Sequence, residues 1–221
     1  MNLTNLTPDS VIFDLDGTLW DATSITMESW PVVLRDHPGV TPAIPITLAN
    51  IRNHMGLTNE ELGAVFFPEL SPEEQMKLMR ASCAFENKWL AERGGILYPG
   101  VLETLERLSR KFPLFIVSNC QCGYIECFLG ANKGTPYIRD YECSDNTKME
   151  KSENIRLIMG RNGLKSPVYV GDTTSDSTAA KKAGVPFVYA KYGFGETYGR
   201  GRVTDYEYSI DTFTELTAFI I

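Results

Sequence analysis

Five short apolar runs punctuate the chain, each followed by small or polar residues. They are Val11 to Leu15, Leu114 to Val117, Val168 to Val170, Pro186 to Ala190 and, more weakly, Tyr208 to Ile210. Continuous runs rich in β-branched and aromatic residues predict strands buried on both faces, as in parallel sheets. Between them the period changes. Val101, Leu102, Leu105 and Leu108 recur at helical spacing, with Glu103, Glu106 and Arg107 on the other face and Pro99-Gly100 as punctuation in front. Ile155, Leu157, Ile158 and Met159 form a second helical pattern, stopped by Gly163; a third runs from Ser175 to Ala183, stopped by Gly184. Strand-helix-strand alternation predicts an α/β fold with a mainly parallel sheet flanked by helices.

From about Thr23 to Gly94 the rhythm breaks and no strand pattern occurs. Thr58 opens a short helix with Glu60 and Glu61 in its first turn. Ser71-Pro72-Glu73-Glu74 is a strong helix start, with an N-cap serine and a proline at the first position. The helix after it carries Met76, Met79, Cys83, Asn87 and Leu90 on one stripe. Methionines on such a stripe read as core. The expectation is a helical insertion directly after the first strand. Residues 1–20 and 95–221 would form the catalytic core, and residues 21–94 a helical cap domain.

Bulk properties narrow the function classes. The chain has 221 residues, 43% hydrophobic and 22% charged, with a net charge of −7. No basic face is visible for a sequence-independent grip on nucleic acid. No apolar stretch approaches the ~20 residues of a membrane span. Met1 to Ser10 is polar without a signal-peptide pattern, so a cytoplasmic protein is the expectation. The five cysteines are expected as free thiols, mostly small buried side chains. A zinc reading of Cys120, Cys122 and Cys127 fits no common spacing. With two histidines only, His37 and His54, a histidine triad or multi-histidine metal site is not expected.

The chemistry lies at the strand ends. Asp14 and Asp16 stand one residue apart where the first strand stops, beyond the carboxyl edge at which open α/β sheets place ligands. Strand alternation would point both the same way. Two anions so close need a metal ion, a lysine or a shared proton as compensation. Gly17 permits a sharp turn and close approach of a ligand. Ser118-Asn119 ends the second strand, a weak signal alone because both are ordinary turn residues. Gly171-Asp172 with Asp176 follows the third, where Ser175 and Asp176 also suit a plain helix cap. The three edges together suggest a magnesium-assisted site for a phosphorylated substrate.

In this order the motifs resemble the haloacid dehalogenase-like hydrolase superfamily, over nearly the whole chain. Asp14-Leu15-Asp16-Gly17-Thr18 resembles its first motif, Ser118 its second, Lys151 its third and Gly171-Asp172 with Asp176 its fourth. Asp140-Tyr141-Glu142-Cys143 followed by Lys151-Ser152-Glu153-Asn154-Ile155 resembles the phosphoglycolate-phosphatase-like branch. The resemblance implies a Rossmann-like core and an inserted helical cap. It implies Asp14 as nucleophile forming an aspartyl-phosphate, and Asp16 as general acid and base. It further implies Mg²⁺ held by Asp14, the Asp16 main-chain carbonyl and Asp172, with Asp176 on the metal or behind it. Ser118 and the Asn119 amide would bind phosphoryl oxygens. Lys151 would offset the gathered charge, although Lys148 is three residues away and a Lys-Pro-x-Pro pattern seen in many relatives is missing.

Several reactions compete. A dehalogenase does not need the second acid, so Asp16 argues for phosphoryl transfer. A β-phosphoglucomutase would carry a cap histidine where Thr26 stands, although Trp30 matches an aromatic of that branch. A phosphonate hydrolase would need a lysine in the early cap, and Ala22 to Arg35 holds none. A phosphate-accepting receiver or a degenerate binding module would not need the insertion or three intact acids. The glycine-rich Tyr192-Gly193-Phe194-Gly195 could border the site, but it reads first as a surface turn. The reading that emerges is a magnesium-dependent phosphatase with a helical lid, acting on a small-molecule phosphate ester.

Overall fold

A computed structural model describes residues 7–197 and 201–220. Its centre is a six-stranded parallel sheet of β1 (Ser10–Phe13), β4 (Leu114–Ser118), β5 (Ile138–Cys143), β6 (Pro167–Gly171), β7 (Phe187–Ala190) and β8 (Tyr208–Ile210), ordered β5-β4-β1-β6-β7-β8. β1 is hydrogen-bonded to β4 on one side and β6 on the other, so all four of its residues are buried. That is why its sequence is an apolar run rather than an alternation. Strand order reverses at β1, which makes its carboxyl end the switch point where such sheets hold ligands. A separate two-stranded antiparallel ribbon joins β2 (Trp20–Asp21) to β3 (Ile96–Leu97).

All five expected strands are present, the first ending at Phe13 rather than Leu15. β5 was not anticipated. Its sequence, IRDYEC, is polar and only its last two residues are buried, because it lies at the sheet edge.

Four helices fill the segment between β2 and β3: α1 (Thr23–Leu34), α2 (Leu48–His54), α3 (Asn59–Phe66) and α4 (Pro72–Arg93). Capping boxes start α3, through Thr58 and Glu61, and α4, through Ser71 and Glu74. Trp30, Val33, Phe66, Phe67, Leu78 and Met79 form their common core. On α4 the expected stripe holds at Met79, Cys83 and Leu90 and widens to Leu78, Ser82 and Glu86, while Met76 and Asn87 are half-buried. Both histidines are tied to their own helices, His37 Nδ1 to the Val33 carbonyl (3.0 Å) and His54 Nδ1 to that of Asn50 (2.7 Å).

Further helices are α5 (Val101–Ser109), α6 (Tyr124–Ala131), α7 (Ser144–Thr147), α8 (Lys151–Asn162) and α9 (Thr174–Ala183), with short helical turns at Phe194–Thr197, Phe213–Glu215 and Leu216–Phe219. Ile155 and Ile158 of α8 and Ala179 and Ala180 of α9 pack on one sheet face, Leu105 and Leu108 of α5 on the other. All five cysteines are free, four of them buried. No helix among the described residues is long and apolar enough to cross a membrane.

Candidate active site

Asp14 follows the last residue of β1, its N–H donating to the Val170 carbonyl at 2.8 Å. The chain then turns through Gly17, at φ +80°, a left-handed conformation that favours glycine. Space makes the same demand: a Cβ there would lie 2.1 Å from Asp172 Oδ2. The turn thus lets β6's Asp172 approach the first loop.

Three wholly buried carboxylates meet at this edge. One oxygen each from Asp14, Asp172 and Asp176 lies within 4.8 Å of the others. Lys151, the first residue of α8, places its Nζ 2.9 Å from Asp14 Oδ1 and 2.6 Å from Asp176 Oδ1. Of the two lysines considered, Lys148 instead points outward and pairs with Asp145. With all three carboxylates ionised, one ammonium leaves two negative charges in a buried site.

The electrostatics follow from burial. Desolvation, then the charge of Asp176, pushes Asp14 up to about 6 against the pull of Lys151. Asp172 lies well above the usual carboxylate range, first by burial and then by Asp176 and Asp14. Burial also works against Asp176. The Lys151 charge and hydrogen bonds from Lys151 and Thr173 overcome it and hold its carboxyl low. For Lys151, burial opposes the charge, but Asp14 and Asp176 hold the ammonium above its ordinary value.

These residues fit a divalent cation. The donors are hard oxygens, the local charge is negative, and Asp172 stays ionised in so buried a place only beside a positive charge. Asp176 differs from its neighbours. Its Oδ1 accepts from Lys151, and its Oδ2 accepts from the Thr173 amide (2.9 Å) and hydroxyl (2.6 Å). It is a helix-capping carboxylate as well as a partner of Lys151.

Asp16 does not share Asp14's partners. With β1 ended, the chain curls into an isolated bridge between Asp16 and Trp20. Asp16 Oδ1 accepts from Trp20 Nε1 at 2.9 Å and Tyr124 OH at 2.8 Å. Both aspartates nevertheless line one cavity with Ser118 and Asn119. The Asn119 side chain is occupied, donating to the Gly56 carbonyl (3.0 Å) and accepting from Ser144 Oγ (2.7 Å). Only its main-chain amide is left for a ligand.

The roof of the cavity comes from α1, α3, α4 and the α2–α3 turn, and it encloses about 50 Å³. A wider groove of about 380 Å³ opens past Lys151 along α9. Thr26, aligned with the mutase histidine, donates its hydroxyl to Glu86. The 192–195 loop is not a surface turn. Its residues 193–195 are buried, Phe194 N–H donates to Asp172 Oδ2 at 2.6 Å, and a Cβ on Gly195 would lie 1.9 Å from the Asp172 carbonyl. Sequence reasoning also missed Glu86, Trp20 and Tyr124. The aromatic Trp20, so close behind Asp16, was the one available signal.

The model of the haloacid dehalogenase-like hydrolase family matches residues 11–190. The chain belongs to this family. Phosphoglycolate phosphatases of Shigella boydii and Rhodobacter capsulatus are similar to it. The first is 28% identical over 205 residues, covering 83% of this chain and 81% of the relative. The second is 27% identical over 193 residues, covering 85% and 86%. A solved haloacid dehalogenase-like hydrolase from Streptococcus pneumoniae superposes with TM-score 0.76 at 22% identity, covering 96% of this chain and 98% of that one. The chain is therefore a hydrolase of the phosphatase-bearing haloacid dehalogenase-like type, on a Rossmann-like core with an inserted helical segment.

Proposed function

We propose that this enzyme hydrolyses a small phosphate monoester with magnesium, through an aspartyl-phosphate on Asp14. The observation carrying the reading is the Lys151 ammonium held between Asp14 and Asp176, beside Asp172, at the sheet's switch point. The phosphatase relatives support it. Paired acids, a buried lysine and a hard-oxygen cluster are the equipment of phosphoryl transfer.

The Asp14 carboxylate attacks phosphorus as the bond to the alcohol breaks. Asp16 gives that alcohol its proton, then takes one from the water that cleaves the acyl phosphate. Trp20 and Tyr124 both bond Oδ1 of Asp16, which leaves Oδ2 to carry the proton. The Ser118 hydroxyl and Asn119 amide bind phosphoryl oxygens, and Lys151 balances their charge. Asp176 keeps Lys151 in place. Mg²⁺ would be held by Asp14, Asp172 and the Asp16 carbonyl, and when bound it supplies charge neutralisation and orientation of the phosphoryl group. Residues 21–94 act as a cap over residues 1–20 and 95–221.

The test is Asp14→Asn. It lowers magnesium-dependent turnover of p-nitrophenyl phosphate by a factor on the order of 10³ or more, while circular dichroism and Tm stay those of a folded protein. Wild-type-like turnover in that variant sinks the nucleophile.

A further inference from the structure

The cavity roof carries a buried acid that the chemistry above does not use. Glu86 of α4 is 5% exposed and lines the same cavity as Asp14 and Asp16. Its Oε1 accepts from Thr26 Oγ1, and its Oε2 from Gln121 Nε2 at 3.3 Å. Both partners are neutral. Among the described residues, no lysine, arginine or histidine lines this cavity. A buried carboxylate without a cation is costly unless function or a ligand completes it.

The leaving alcohol must sit here. Asp16 can hand its proton only to an oxygen it faces, and this cavity is the one holding Asp14, Asp16 and Ser118 together. A second negative charge on the leaving group falls beside the Glu86 carboxylate, and no cation lines the cavity to balance it. The site's cation, Lys151, is already engaged by two carboxylates. The groove along α9 offers no alternative, since its Lys182 is paired with Glu150.

We propose that Glu86 sets specificity: the site takes esters of small alcohols that bear a hydrogen-bond donor and no carboxylate, and it rejects phosphoglycolate. This rests on the phosphatase reading above. It separates the chain from the phosphoglycolate phosphatases it is similar to. The shared chemistry of the favoured substrates is a donor, hydroxyl or ammonium, pointed at the Glu86 carboxylate.

The experiment compares kcat/KM of the magnesium-loaded full chain at pH 8, where Glu86 is ionised, on glycerol 1-phosphate, O-phosphoethanolamine, 2-phosphoglycolate and p-nitrophenyl phosphate. Both donor-bearing esters are expected to exceed phosphoglycolate by about tenfold or more, the scale of one like-charge contact in a partly screened site. Glu86→Gln, equal in shape and without charge, should shrink that ratio by about tenfold, with its largest loss on the ammonium ester. The wild-type ratio needs no variant to fold. Phosphoglycolate turned over as well as or better than the other two overturns the inference, as does an unchanged ratio in Glu86→Gln. Wild type inactive on all four esters overturns the phosphatase reading and this inference with it.

Discussion

Glu86 shows how one residue couples site and stability. Burial pushes its carboxyl from 4.5 up to about 7, against the Thr26 and Gln121 hydrogen bonds that favour the charge. The folded protein therefore binds this proton more tightly than the unfolded chain does. Stability from this group is complete below pH 4.5 and falls as pH rises toward 7. Glu86→Gln removes the penalty. At pH 8 the variant should be more stable than wild type by about 3 kcal/mol, from roughly 1.4 kcal/mol per pH unit. At pH 4.5 the two should be nearly equal. Urea unfolding at both values measures the difference, and equal midpoints at pH 8 rule the effect out. Glu86 falls at helical spacing from Met79, Cys83 and Leu90, but an acid among apolar positions does not read as part of their stripe. Asp14 and Asp172 were legible because each is an acid at the end of an apolar run, whereas Lys151 came only from the family resemblance, with Lys148 as its rival. Nothing local marks an acid in mid-helix as buried.

Elements supply the geometry that single residues cannot. The 192–195 loop follows β7, yet it packs on the loop after β6 and on the first turn. A Cβ on Gly193 would lie 2.3 Å from the Gly17 carbonyl and 2.4 Å from Asp172 Cβ. This loop buttresses Asp172. Gly195→Ala puts a methyl group 1.9 Å from the Asp172 carbonyl, where backbone must move. The expected outcome is a loss of about 1–3 kcal/mol of stability and magnesium binding weakened about tenfold, the order seen when support for a metal ligand is removed. Calorimetric titration with magnesium reads the second effect, and an unaltered affinity refutes the buttress. A glycine-rich turn in a sequence cannot announce which distant backbone it approaches. β5 was missed for a different reason. Its polar residues are engaged from outside the sheet, Arg161 of α8 binding both Asp140 (2.8 Å) and Glu142 (3.1 Å), so a strand is held by ion pairs where an apolar pattern was sought.

For the whole molecule, the question is how substrate enters. The cavity over Asp14 and Asp16 leaves only about 50 Å³ under the helical roof. A phosphate ester does not pass into it unless the helical segment lifts. The two covalent crossings are narrow. At one, Trp20 pairs with Leu97 and Asp21 with Ile96 across the β2–β3 ribbon. At the other, Asn132 holds Gly95 by both its amide (3.0 Å) and its carbonyl (2.8 Å). Non-covalent ties add to these: Asn119 bonds the Gly56 carbonyl beside the phosphate loop, Asn87 the Cys122 carbonyl (2.8 Å) and Gln121 the Glu86 carboxylate (3.3 Å). The helices keep a core of their own around Trp30, Phe66 and Met79, but Ile25 and Leu90 pack into the core of the sheet domain, so opening by hinge motion has to part that apolar contact as well as the polar ties. Asn119→Ala should speed amide exchange at residues 56–58 several-fold, for the loss of about 1 kcal/mol, and leave the β1–β4 amides unchanged. Magnesium with beryllium fluoride, a mimic of the phosphorylated aspartate, should do the reverse. It should slow exchange at residues 56–58 and at both crossings, 20–23 and 94–99. Crossing amides that exchange at the same rate with and without the mimic would mean that the helical segment is a fixed wall, and that substrate reaches Asp14 along the open groove past Lys151.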